Sequence, residues 1–166
     1  MLNNKIIFLV VLLIFLATPF VQAESFKSPE DFTEYIYANY AAENFEEVYN
    51  NFAAELKRIL AEEDYLKFQQ HNFEKYELEY TEIEVGTAEE IEFEKIKDKF
   101  DYAEDFGRYY KLQVSYLLKF NRLGQREERS EKDVYLRKIN DDFQIFWDYK
   151  SALNDDQAAD RDDQDE

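Results

Sequence analysis

The chain has no cysteine, and that absence removes several chemistries at once. There can be no disulfide, no thiol nucleophile, no thiolate metal site and no lipidated cysteine. An exported domain of this composition must hold itself together by its core alone. Histidine is nearly absent too: the only one is His71, set among polar Gln70, Asn72 and Glu74. That setting reads as exposed surface near a helix C-terminus rather than as a general base with an orienting partner. No serine sits in an elbow motif, and with three glycines in the whole chain there is no phosphate-cradling loop. Positive charge is also scarce, 20 bases against 38 acids for a formal −18. Such a surface repels phosphate backbones and anionic lipids, which argues against nucleic acid as a partner.

Long apolar runs are confined to one place. Lys5 precedes a run of 12 apolar residues over 6–17, broken by Thr18 and Pro19. Val21 and Ala23 then supply the small residues of a cleavage site. The pattern predicts a signal peptide over 1–23, cut after Ala23, and a secreted or periplasmic product with no stable membrane insertion. The competing reading is an uncleaved anchor over 6–23, which Thr18, Pro19 and Gln22 make a poor span. Cleavage would leave 143 residues with 19 bases and a charge of −19. At that size folding buries roughly two-thirds of the chain's surface, enough for one domain, placed at 28–150.

The domain opens on a helix signal. Ser28 is a capping residue, Pro29 suits the first turn, and Glu30 and Asp31 favour the positive helix end. Phe32, Tyr35, Ile36 and Tyr40 follow at helical spacing. A second helix is expected from Asn44, with Glu47 as capping-box partner and a stripe through Phe45, Val48, Tyr49, Phe52, Leu56, Ile59 and Leu60. A third stretch, 62–76, carries Tyr65, Phe68, Phe73 and Tyr76.

After Tyr76 the period becomes that of strands. Leu78 and Tyr80 are even, Ile83 and Val85 odd, and this parity slip predicts a β-bulge or an edge strand. Gly86 and Thr87 mark a turn, 91–96 reads as another short strand, and 98–107 as an acidic loop. Residues 109–120 organise the rest: Tyr110, Leu112, Val114, Tyr116, Leu118 and Phe120 alternate with mostly polar neighbours. Twelve residues at ~3.3 Å each span ~40 Å, about twice a usual strand. A turn around Gly124 returns the chain antiparallel over 127–139, setting Glu128, Ser130 and Lys132 opposite Phe120, Leu118 and Tyr116. A two-residue turn at Asn140-Asp141 then sets Leu136 opposite Ile145 and Val134 opposite Trp147. On this reading Tyr135, Phe146 and Leu117 face outward, free unless a second copy of the chain packs sheet to sheet. Residues 154–166 hold seven acids and no apolar anchor, and are expected to form a disordered acidic tail.

The capped helix 28–40, the second helix opening Asn44-Phe45-Glu46-Glu47 and the closing hairpin 134–145 together resemble the nuclear transport factor 2-like group. Its members often end in such a hairpin, with tryptophan where Phe143 stands. The resemblance covers roughly 28–150 and implies an α+β cone, N-terminal helices packed on a curved antiparallel sheet. It also implies a cavity between the layers. Ketosteroid-isomerase-like and polyketide-cyclase-like members work there with an acid or a histidine, and no motif carries such a residue onto this chain.

Most inward aromatics read as core, and the mixture of aromatic and polar residues among them suits a small-ligand pocket, a partly wet sheet edge or a dimer face on the sheet alike. Tyr35, Tyr49, Tyr110, Tyr116 and Trp147 fall on inward stripes and offer polar tips to a cavity, with Ser130 and Lys132 at its rim. No residue is assigned a catalytic role, and no metal or cofactor is implied: Asp98, Asp101, Glu104 and Asp105 match no calcium cage. The expectation is an exported binding or interaction domain for a small apolar ligand or a protein partner, with a homodimer through the sheet as one form of partner. The alternatives are a cavity enzyme of isomerase or cyclase type and an anchored envelope component.

Overall fold

A computed structural model describes residues 26–150 except 123 and 125; the expected signal peptide, 1–23, and the expected tail, 154–166, lie outside the described residues. Ser28 caps α1 (Pro29–Ala41), its hydroxyl accepting from the Asp31 N–H at 3.1 Å. The second expected helix is two, α2 (Phe45–Asn50) and α3 (Ala54–Ile59), and Asn44 makes no side-chain cap. Glu47 does not close a capping box: its carboxylate accepts from Tyr35 Oη at 2.8 Å. The break at Asn51–Ala53 has a cause. Phe52 forms a parallel bridge with Ile145, and the Ala53 N–H donates to the Ile145 carbonyl at 3.0 Å. The edge of the sheet thus takes hydrogen bonds that a continuous helix would have kept for itself. The third stretch is a separate helix, α4 (Glu62–Tyr76), closed by Glu77 at φ 48°.

The sheet runs β1 (Leu78–Val85), β3 (Arg108–Phe120), β4 (Arg126–Ile139), β5 (Asp142–Ile145), with β2 (Glu89–Ile91) also on β3. All pairings are antiparallel. The predicted bulge is present: register shifts between Thr81 and Glu84, with Glu82 at φ 48°. Ser130 lies opposite Tyr116 and Lys132 opposite Val114. The expected pairing of β3 with β4 was therefore two residues out, a slip that leaves every side chain on its expected face. Leu136 meets Ile145 as derived, but β5 ends there, so Trp147 does not join the ladder with Val134. Only Asn140 of the closing turn has positive φ, at 56°.

The helices pack on the concave face of this curled sheet, an α+β fold. Phe32, Ile36, Val48, Phe52, Leu56, Val114, Leu136 and Ile145 form one buried core between the layers. Each large side chain so buried contributes about 1.5–3 kcal/mol of transfer free energy.

The convex face departs most from expectation. Residues 91–96 are not a strand; after Ile91 the chain turns into α5 (Phe93–Lys97). Together with residues 98–107 this helix covers the outer face. Ile96, Phe100, Ala103, Tyr109, Phe146 and Ala53 make a second buried cluster, with Tyr135 packed against it. Phe100 stacks on Phe146 at 5.4 Å and meets Tyr135 edge-on at 5.4 Å. Tyr135 and Phe146, expected free or under a second copy, are covered by the chain's own segment.

Arg137 anchors that cover. It lies on the outward side of β4, fully buried, and its guanidinium donates to both oxygens of buried Glu55 at 2.5 and 2.7 Å. It also donates to Gln144 Oε1 at 2.6 Å and stacks 3.8 Å from the Phe106 ring centroid. Burial pushes the Glu55 carboxyl up, but Arg137 and the Glu104 N–H outweigh it and hold the carboxyl below its ordinary value. Gly107 sits at φ 97°, where a Cβ would come within 2.6 Å of the Lys138 carbonyl and 3.1 Å of Arg137 Cγ. Only glycine lets the loop reach β3 past that side chain.

The two cores generate one expectation. Leu136→Ala, on the concave side, should cost ~2–5 kcal/mol, and Phe100→Ala, under the convex cover, ~3–5 kcal/mol. Urea midpoints of the two variants measure both; a near-neutral Phe100→Ala would mean that the cover is not part of the cooperative fold.

Candidate functional site

Between the helical layer and the sheet lies a cavity of about 80 Å³. From α1 it is lined by Ile36, Tyr37 and Tyr40, and from α4 by Tyr65 and Gln69. The sheet contributes Tyr80, Tyr116 and Lys132, and Trp147 closes the far side with Phe52. Tyrosine hydroxyls ring the space. Tyr80 and Tyr116 lie 4.9 Å apart by ring centroids, Tyr40 and Tyr80 5.0 Å. The buried amide of Gln69 serves this ring: its Oε1 accepts from Tyr40 Oη at 2.8 Å, and Tyr65 is within hydrogen-bonding reach. A buried hydroxyl without a partner is costly, so this amide gives the α4 side of the cavity its shape.

Trp147 is placed by the convex cover. Tyr102 Oη donates to the Trp147 carbonyl at 2.9 Å and accepts from its N–H at 3.1 Å. The indole then stacks on Phe52 at 5.9 Å and meets Tyr65 at 5.3 Å. A residue beyond the last strand is thereby held as firmly as one in the ladder.

Of the seven residues read from sequence, Tyr116, Lys132 and Trp147 come together at this cavity, while Tyr35, Tyr49, Tyr110 and Ser130 do not line it. Tyr35 lies on the α2 flank of α1, beside an open polar depression of about 620 Å³ with Asn39, Glu43 and Glu47. Tyr49 is buried, and its hydroxyl donates to the Leu60 carbonyl at 2.8 Å. Tyr110 lies beside Phe143, 6.2 Å away. Ser130 is opposite Tyr116 on β4 but stays outside the lining. The residues missed are Tyr37, Tyr40, Tyr65, Gln69 and Tyr80. Tyr40 and Tyr80 stood on stripes already read as apolar. Tyr37 and Gln69 carried no such signal.

No carboxylate or imidazole is among the lining residues. His71 is exposed on α4. Of the acidic loop, Glu104 pairs with Arg58, and Asp101 with Lys150 at 2.5 Å. Among the described residues no three His, Cys, Asp or Glu gather as a metal site, and no helix is long and apolar enough to cross a membrane.

No protein-family model matches the chain, and no curated protein matches it. Among solved structures, a SEC-C motif containing protein from Rhodopseudomonas palustris is similar at 16% identity and a TM-score of 0.45. The likeness covers 72% of this chain and 76% of that one. At that level neither superfamily nor activity transfers.

Burial dominates the titration of the ring. It pushes the Tyr37, Tyr40 and Tyr65 hydroxyls well above their ordinary value and Tyr80 up to about 12, with neighbouring phenols adding to the shift. A raised pKa means that the folded state favours the neutral phenol. The resulting stability is fully present below the unfolded value of 10 and is lost as pH rises towards and through about 12. Alkaline titration followed by tyrosinate absorbance and near-UV circular dichroism should therefore show part of the tyrosine signal appearing only together with unfolding, above pH ~10. Ionisation of all 13 tyrosines near pH 10 with the fold intact would contradict it.

Proposed function

We propose that the chain is an exported, non-enzymatic binding domain of the nuclear transport factor 2-like kind, and that the tyrosine-ringed cavity is its ligand site. The observation that carries this reading is the chemistry of the lining. Phenol hydroxyls, one amide and one ammonium can bind and orient a ligand, but the lining offers no carboxylate or imidazole to move a proton at ordinary pH. An isomerase or cyclase cavity needs such a group. Among the described residues the one buried carboxylate, Glu55, is engaged by Arg137 beneath the convex cover.

The order of elements, helices followed by a curled antiparallel meander with a closing hairpin, supports the superfamily. The charged start, apolar run and small residues of 1–23 support export. A product beginning at Glu24 is expected outside the cytoplasm. The ligand is small. A volume of about 80 Å³ is the liquid share of roughly three waters, at ~30 Å³ each, so an apolar group of a few carbons fills it.

Trp147 is the only tryptophan, so its emission reports on this cavity alone. Titration with 1-butanol should shift that emission to saturation. In Tyr116→Ala, where a ring is removed from the wall, benzyl alcohol should become a ligand as well. A strictly linear response in both proteins would mean that no site exists.

A further inference from the structure

The cavity has one charged lining residue, and it is positive. Lys132, on the inward side of β4, lines the cavity with Tyr116, Tyr80 and Trp147; the residue as a whole is exposed, while its amine is partly desolvated. It forms no direct salt bridge with a described residue, and the charges that act on it are those of Asp148 and Lys99. Several other charges on this strand are paired directly: Arg129 with Glu82, Asp133 with Lys111 at 2.8 Å, Glu131 with Gln113 at 3.2 Å, Arg137 with Glu55. On its own face, Glu128 is paired with Arg126 at 3.0 Å.

We infer that the ligand of this cavity is a small monocarboxylate, its apolar tail among Tyr116, Tyr80 and Trp147 and its carboxylate on the Lys132 ammonium. The inference rests on the binding reading given above and deepens it. The cavity volume suits a tail of about three or four carbons, and the one charged lining residue, Lys132, favours a negative head. Burial pulls the Lys132 amine below its ordinary value, Asp148 opposes that, and Lys99 adds to it. An anion held at the mouth relieves the same desolvation by pairing the charge. The surrounding field works against any anion, since the whole chain carries −18. A preference for an anion over its neutral analogue therefore has to be local, and Lys132 is the one cationic lining residue.

The test uses the full chain, Trp147 emission and three probes of one size: butyrate, 1-butanol and butylammonium. In the wild type butyrate should bind roughly tenfold more tightly than 1-butanol, the factor expected for a hydrogen bond to a charged group. Butylammonium should bind worst. In Lys132→Met the preference for butyrate over 1-butanol should fall to about one. If 1-butanol or butylammonium equals butyrate in the wild type, the carboxylate inference is overturned while the binding site stands. If the preference survives in Lys132→Met, the anion is recognised elsewhere and the inference is overturned as well. If none of the three perturbs Trp147, the binding reading fails and takes this one with it.

Discussion

The pair formed by Arg137 and Glu55 is the constraint on which the two-sided sheet depends. A guanidinium with no solvent exposure is tolerable only if its charge is matched and nearly all its N–H groups are used. Here both terminal nitrogens are engaged, by Glu55, by Gln144 and by the Glu104 carbonyl, and the planar face is covered by Phe106. Nε alone is left without a partner. The partners come from α3, from β5 and from the loop before β3, so one side chain ties three segments to the outer face of β4. Removing either charge would strand the other in a dry site, which is why this contact has more leverage than any single apolar one.

From that tie the cover reaches the cavity. Tyr109 holds the same loop from inside, its hydroxyl accepting from the Phe106 N–H at 2.7 Å and within 3.0 Å of the Glu104 carbonyl. Tyr102, a few residues earlier, grips the Trp147 backbone, and the Trp147 indole forms one wall of the cavity. The convex face, which touches no ligand on this account, thus positions a residue on the concave side. Packing is transmitted around the sheet edge, where residues 51–53 bond to β5, rather than through the sheet.

Much of the fold was legible because alternation and capping are local signals. The cap at Ser28, the bulge between Thr81 and Glu84 and the facing of Leu136 and Ile145 all follow from residues close in sequence or from strand parity. What failed depended on distant contacts. Phe93, Ile96 and Phe100 stand three and four apart, a helical spacing, yet Ile91 and Phe93 also alternate, so the local pattern is ambiguous between helix and strand. Arg137 on an odd position of β4 looks the same in sequence as a solvated arginine; only the cover over it makes it buried. The β3–β4 register slipped by two because the length of the turn at 121–125 is not fixed by parity. For the cavity, the aromatics Tyr116 and Trp147 are legible by face, but the Tyr49 hydroxyl goes to a carbonyl acceptor on Leu60 that no pattern announces. Gln69 was invisible because a buried amide has no periodic signature.

The central claim is that the buried charge pair, rather than general apolar burial, fixes the convex cover. The most direct measurement is a double-mutant cycle in urea on Glu55→Gln, Arg137→Met and the combined variant. Each single change should cost ~3–5 kcal/mol by stranding its partner, and the combined variant should be less destabilised than the sum by at least ~2 kcal/mol. Single losses below ~1 kcal/mol that simply add would contradict the account, because a pair worth so little could not hold the cover in place.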